Sequence, residues 1–151
     1  MKQGKNYTLA QWLKVWYEVY NLPTVKTSTA ERTKSVIDLI CRTYYADCKI
    51  SEMTEISLQS ILNTVKNVKH GRKEYSESTL KKVKSVLRQS FQKAKSEKLI
   101  AYNPAVDIII PKAPKKKVLP LTHFQEEKLQ IACNDDVIGN VYLFFLLTGL
   151  R

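Results

Sequence analysis

Apolar residues recur at helical spacing in four stretches of the first hundred residues. The first stretch opens at Thr8, and Gln11 follows three residues later, which is the arrangement of a capping box at a helix start. The apolar positions behind this start share one helical face, and they are Leu9, Trp12, Leu13, Trp16, Tyr17 and Tyr20. The pattern predicts an amphipathic helix that ends near Asn21.

Three further helices are predicted, joined by short connections. The second begins at Ser28, the third at Ser57 and the fourth, which is the longest, after Ser76. Gly71 is expected to end the third helix, because glycine readily takes the left-handed conformation that closes a helix. The first hundred residues are therefore predicted to form an all-α bundle of four helices.

A basic segment that contains prolines follows this bundle. Pro111 and Pro114 forbid a continuous helix, and Lys115, Lys116 and Lys117 come directly after them. The segment is interpreted as an interdomain linker. The predicted division is a helical domain at 1–104, the linker at 105–120 and a further fragment at 121–151.

The last thirty or so residues predict two more helices. Thr122 and Gln125 form a second capping-box pattern, and a later helix follows Asp136 into the apolar run Leu143–Leu147. Domains below about 40 residues rarely fold unaided, so a segment this short is expected to leave the apolar run uncovered. We interpret residues 121–151 as the first helices of a second, truncated domain.

Charge indicates the kind of partner. The chain has 25 Lys and Arg against 14 Asp and Glu, a net charge of +11, which favours a polyanion such as nucleic acid or an anionic membrane surface. No apolar run reaches the roughly 18 residues of a membrane span, and no signal peptide is evident, so a soluble cytoplasmic protein is expected. The three cysteines and two histidines fit no metal-site spacing, and neither a metal nor a disulfide is predicted.

The fourth helix carries the most concentrated basic charge. Residues 66–98 hold 11 Lys or Arg and only 3 Glu. At 100° per residue, one flank of this helix collects Lys81, Lys84, Arg88, Gln92 and Lys95 within a sector of about 80°. This flank is predicted to bind the phosphates of double-stranded DNA, with weaker candidates in the second helix and in the linker, namely Arg32, Lys34, Lys115, Lys116 and Lys117. The alternative is an ordinary solvated surface and a solubilising linker.

Several short motifs, taken in order, resemble the tyrosine recombinases of the phage-integrase family. After four helices come Asn103-Pro104-Ala105, Pro111-Lys112, Leu121-Thr122 at a helix start, and Thr148-Gly149-Leu150-Arg151. The resemblance implies a core-binding (SAM-like) bundle that clamps duplex DNA opposite a catalytic domain. It also implies that other recombinase protomers bind the same DNA and that the catalytic domain uses no metal or nucleotide cofactor.

The same resemblance makes Arg151 the first catalytic arginine, which would hold the scissile phosphate while a tyrosine attacks. The family's other catalytic groups lie downstream of this motif. The chain is therefore expected to be inactive in strand cleavage by itself, and Arg151 to act only in the intact parent protein.

Two other functions stay open on the sequence alone. One is a non-enzymatic helical regulator that binds DNA, and the other is a helical module whose basic face meets an acidic protein. Neither a small-molecule substrate nor a membrane partner is expected.

Overall fold

The computed structural model describes residues 6–67, 69–70, 73–112, 119–134 and 136–149, and it describes side chains at all of these except 69, 70, 73 and 74. The chain divides into two compact units, Met1–Lys115 and Lys116–Arg151.

The first unit is a bundle of four α-helices. They are α1 (Leu9–Trp16), α2 (Thr27–Cys41), α3 (Glu55–Asn67) and α4 (Glu77–Ser96). A π-helical turn at Tyr17–Asn21 and a 3-10 turn at Leu22–Thr24 continue α1, and two more 3-10 turns at Tyr44–Asp47 and Ile50–Glu52 lead into α3. Strands β1 (Lys69–His70) and β2 (Lys73–Glu74) form a two-residue antiparallel pair before α4.

Two of the predicted helix starts are confirmed by their hydrogen bonds. The backbone N–H of Gln11 donates to Thr8 Oγ1, and the N–H of Thr8 donates to Gln11 Oε1 in return. Ser76 Oγ accepts a hydrogen bond from the backbone N–H of Thr79 at the start of α4. These contacts are local, so a short stretch of sequence is enough to specify them.

The predicted ends of the second and third helices are wrong by a few residues. α2 begins at Thr27, and its N-cap, Lys26, makes no capping hydrogen bond with its side chain. α3 begins two residues before Ser57, because Thr54 Oγ1 accepts from the Ser57 N–H and so supplies the cap. α3 also ends at Asn67 rather than at Gly71, since the chain there leaves the helix for the β1–β2 pair.

The core of the first unit is built around α4, which packs against α1, α2 and α3. Phe91 and Leu87 on α4 are completely buried, as are Leu13 on α1 and Leu62 on α3. The indole Nε1 of Trp12 donates a 3.0 Å hydrogen bond to a backbone carbonyl of α4, at Ser90. This bond joins α1 to α4 inside the core and satisfies two buried polar groups.

The segment after α4 packs onto the bundle. We call residues 103–110 the strap. Ala105 and Ile108 are completely buried within the core, although the sequence places both in a linker. Gln59 on α3 accepts from the Ile109 N–H through Oε1 at 2.7 Å and donates to the Ile109 carbonyl through Nε2 at 2.8 Å. The strap is thus held by apolar burial and by hydrogen bonds to its backbone.

The second unit contains α5 (His123–Asn134) and α6 (Gly139–Thr148), which pack on each other. Thr122 and Gln125 form the predicted reciprocal capping contacts at the start of α5. α6 ends at Gly149, which has a φ of 65° and donates its N–H to the Phe145 carbonyl. Exposed apolar side chains lie along α6, and they are Val141, Tyr142, Phe144, Phe145 and Leu147.

The all-α prediction, with a four-helix bundle followed by two further helices, is confirmed. Within the described part of the chain, no helix has the length and apolar character needed to cross a bilayer.

Candidate nucleic-acid interface

Helix α4 exposes two polar flanks on either side of its buried stripe. At 100° per residue, the first flank is the predicted one, with Lys81, Lys84, Arg88, Gln92 and Lys95. The second flank consists of Lys82, Ser85, Gln89, Lys93 and Ser96. The two flanks meet on the side of α4 that points away from the core.

Only part of the first flank is free to bind a partner. Lys81 forms a 2.7 Å ion pair with Glu77, one turn earlier. Lys84 Nζ donates a 2.6 Å hydrogen bond to the Ile108 carbonyl of the strap and is partly buried. Arg88 and Lys95 are exposed, and their side chains make no hydrogen bond or ion pair with the described residues. The structure therefore brings the predicted residues together but engages two of them within the protein.

The second flank faces α2 across a groove of about 300 Å³. Arg32 lines the α2 side of this groove, and Lys82 and Gln89 line the α4 side. Both basic residues are exposed and unpaired among the described residues. Two cations from different helices are thus placed on opposite walls of one groove. Lys34 is also exposed on α2, but it does not line this groove.

A larger groove of about 630 Å³ continues along α4 toward its C-terminus. It is lined by Arg88, Gln92 and Lys93 and by Tyr20 from the π-helical turn. The two grooves share three lining residues, Trp16, Ser85 and Gln89. They therefore form one continuous surface, which we call the α4 surface.

Tyr20 and Glu97 order the C-terminal end of this surface. Lys93 Nζ lies 2.8 Å from Glu97 and 4.4 Å from the centre of the Tyr20 ring, and Tyr20 Oη donates a 3.2 Å hydrogen bond to Glu97. The hydrogen bond between the two charged groups raises the pKa of Lys93 and lowers the pKa of Glu97. Lys93 thus stays charged but is paired with Glu97, and the unpaired cations of the surface are Arg32 on α2 and Lys82, Arg88 and Lys95 on α4.

Lys82 and Gln89 were missed by the sequence reasoning. The polar spacing Lys82, Ser85, Gln89 marks a second exposed flank, and this signal was present in the sequence. The adjoining first flank has more basic residues and therefore gives the stronger signal in the sequence. The predicted sites Lys115, Lys116, Lys117 and Arg151 lie outside the described residues.

Other chemistry has little support in the described residues. Cys41 and Cys48 are half-buried and Cys133 is buried, and burial, with a smaller contribution from Asp38, raises the pKa of the Cys41 thiol. Among the described residues, no group of three or more His, Cys, Asp or Glu side chains is suited to a metal ion.

Residues 8–65, which run from the cap of α1 through most of α3, match the family model for the phage integrase N-terminal SAM-like domain. This segment is thus similar to the N-terminal SAM-like domain of phage integrases. The resemblance seen in the sequence motifs is thereby confirmed. Among curated proteins, none matches the chain significantly.

Several solved structures share the fold of this chain. The integrase-like domain from Bacillus cereus matches with a TM-score of 0.60 and 24% identity, over 82% of this chain and 98% of that one. The Tn1549 transposon integrase in complex with circular intermediate DNA matches with a TM-score of 0.66 and 21% identity, over 95% of this chain and 47% of that one. A fragment from Clostridium leptum matches with a TM-score of 0.53 and 21% identity, over 74% of this chain and 95% of that one. The chain thus spans about half the length of the transposon integrase.

Proposed function

We propose that this chain is the DNA-binding portion of a site-specific recombinase of the integrase type, which acts in DNA integration and recombination. The observation that carries the proposal is the α4 surface. Arg32, Lys82, Arg88 and Lys95 lie on or beside it, and none of them forms an ion pair within the described residues. On an integrase SAM-like fold, such a surface suits a phosphate backbone.

The shape of the surface favours duplex DNA. It is open and it combines two helices, so that exposed cations on α2 and α4 can meet phosphates on both sides of a groove. Its aromatic residues are not free to stack on bases, since Trp16 is buried and Tyr20 is engaged with Lys93 and Glu97. The Tn1549 integrase, which has a similar fold, is itself in complex with DNA.

The proposed contacts differ in importance. Arg32, Lys82, Arg88 and Lys95 are the main phosphate ligands, and Lys34 is a further exposed candidate on α2. Lys81 and Lys84 are secondary, because each has a partner inside the protein. Lys115, Lys116 and Lys117 are proposed to follow the DNA backbone from the basic linker.

We further propose that residues 121–151 open the catalytic domain of the parent recombinase. Gly149 ends α6 in the left-handed conformation, so the chain turns just before the motif's arginine, Arg151. In the intact parent that guanidinium would bind the scissile phosphate, and other protomers would assemble on the same DNA. We expect this chain alone to bind DNA without cutting it, in the cytoplasm of a bacterial cell.

Titration of a fluorescent duplex with the purified chain tests the proposal. Affinity should fall steeply as salt rises, and unlabelled duplex should compete while an acidic protein at equal charge does not. Competition by the acidic protein alone would favour the protein-interaction module instead. Failure to bind any duplex at low salt would overturn the proposal.

A further inference from the structure

Asn103, at the start of the strap, makes hydrogen bonds at both ends of its side-chain amide. Its Oδ1 accepts from the Ala105 N–H at 2.9 Å, and its Nδ2 donates to the Arg88 carbonyl at 3.1 Å. A backbone N–H only donates and a carbonyl only accepts, so these two partners fix which end of the amide faces α4. The side chain is buried, with 9% of Asn103 exposed, and has little freedom to turn over.

The fixed orientation of the Asn103 amide also determines the orientation of the neighbouring Gln92 amide. Asn103 Nδ2 also donates to Gln92 Oε1 at 3.2 Å. The oxygen end of the Gln92 amide is therefore directed at the strap, and the Nε2 end is left on the other side. Nε2 has no hydrogen-bond partner among the described residues, and Gln92 is exposed. An exposed glutamine normally presents a donor or an acceptor, whereas this one presents its donors.

The donors of Gln92 lie beside those of Arg88. The two residues are one turn apart on α4 and line the same groove of about 630 Å³. The guanidinium of Arg88 has donors and no acceptor, so the pair offers only donors to a ligand. A glutamine that reads adenine uses its oxygen and its nitrogen together, and here the oxygen is already engaged.

We propose that Asn103 is a positioning residue that holds Gln92 as a hydrogen-bond donor, so that Arg88 and Gln92 together bind an acceptor group of duplex DNA. A phosphate oxygen and the O6/N7 edge of guanine are the two acceptors that fit. The inference rests on the proposed function, because it takes the α4 surface to be the DNA-binding surface.

Two single variants and their double variant test the proposal in the full chain. Gln92→Ala should weaken duplex binding about fivefold, which corresponds to one net hydrogen bond. Asn103→Ala should weaken it by a similar or smaller factor, because Gln92 is then free to turn. The double variant should bind no more weakly than Gln92→Ala alone. If Asn103 acted only by holding the strap, its loss would weaken binding equally in both backgrounds.

Gln92→Glu keeps an oxygen toward Asn103 and replaces the donors with a carboxylate, so it should weaken binding more than Gln92→Ala. This exposed substitution does not disturb the core, and it keeps the test decisive if Asn103→Ala fails to fold. Gln59→Ala is the matched control, since it releases Ile109 of the strap without touching Asn103 or Gln92. Its affinity for DNA should equal that of the unmodified chain.

A panel of short duplexes separates the two acceptors. A uniform loss for Gln92→Ala across the panel identifies a phosphate. A base contact is identified if Gln92→Ala loses affinity only for duplexes that have guanine at one position. Replacing that guanine with 7-deazaguanine should then cause the same loss of affinity in the unmodified chain. The inference is overturned if the chain binds DNA and both Gln92 variants bind it as tightly as the unmodified chain does. It is also overturned if the loss of affinity depends on adenine, or if Asn103→Ala weakens binding by the same factor with and without Gln92→Ala. A chain that binds no duplex at all would instead remove the proposed function.

Discussion

The pair Arg32 and Lys82 gives the sharpest test of how the α4 surface binds DNA. Both residues are exposed, neither is paired within the described residues, and they face each other across the groove between α2 and α4. Each phosphate contact contributes about −0.9 to the slope of log affinity against log salt. The double variant Arg32→Ala/Lys82→Ala should therefore reduce the magnitude of that slope by about 1.8.

The same relation gives the expected loss of affinity. The counterion contribution vanishes near 1 M salt, so two missing contacts lower affinity by a factor of about 60 at about 0.1 M salt and by almost nothing near 1 M. Fluorescence anisotropy of a labelled duplex over a series of salt concentrations measures both the slope and the loss.

The matched control is Lys81→Ala/Lys84→Ala, which removes the same net charge from the opposite flank. Lys81 is paired with Glu77, and Lys84 is bound to the Ile108 carbonyl, so we expect a clearly smaller change in slope. Equal slopes for the two double variants would refute the reasoning, because a general loss of positive charge would then explain both.

Three predictions concern stability, each measured by urea unfolding of the chain. Phe91→Ala removes a completely buried ring from α4 and should cost about 3–5 kcal/mol, and a loss below about 1 kcal/mol would contradict the described core. Thr8→Ala should cost about 1 kcal/mol through loss of the α1 cap, whereas Thr8→Ser should be nearly neutral. The hydrogen bond from Lys93 lowers the pKa of Glu97. The ionised Glu97 carboxylate therefore stabilises the fold above the ordinary carboxyl pKa, and this stabilisation is lost as pH falls through the lowered pKa. The stability difference between the unmodified chain and Glu97→Gln should therefore shrink on acidification from neutral pH, and a difference that grows would contradict the sign.

Much of the fold could be predicted because its signals are local. The cap at Thr8, the cap at Ser76 and the apolar stripes behind them lie within a few residues of each other. The start of α3 does not follow from the sequence, because Thr54 and Ser57 are both suitable caps and only the hydrogen-bond geometry shows that Thr54 is used. The uncapped start of α2 at Thr27 has no local signal of its own.

The site was harder to predict because it depends on contacts between distant residues. Lys84 and Ile108 are 24 residues apart, and nothing in the spacing of α4 indicates that the strap engages this lysine. Likewise, the sequence shows two polar flanks on α4 but not which of them faces α2. Packing decides that Lys82 lies opposite Arg32. Charge density in the sequence therefore indicates the helix on which the proposed site lies, while the arrangement of the basic side chains around it depends on the tertiary structure.

The contact between Gln59 and Ile109 has a consequence for how this domain varies among its relatives. Gln59 binds only the main chain of Ile109, whose side chain is 74% exposed, so any residue with a backbone N–H can occupy position 109 without loss of the contact. Position 59 needs a donor and an acceptor at the end of a side chain of this length, which only glutamine provides. In relatives that keep this contact, the residue type should therefore vary at position 109 and remain glutamine at position 59. Proline should be absent from position 109, because it has no backbone N–H to donate.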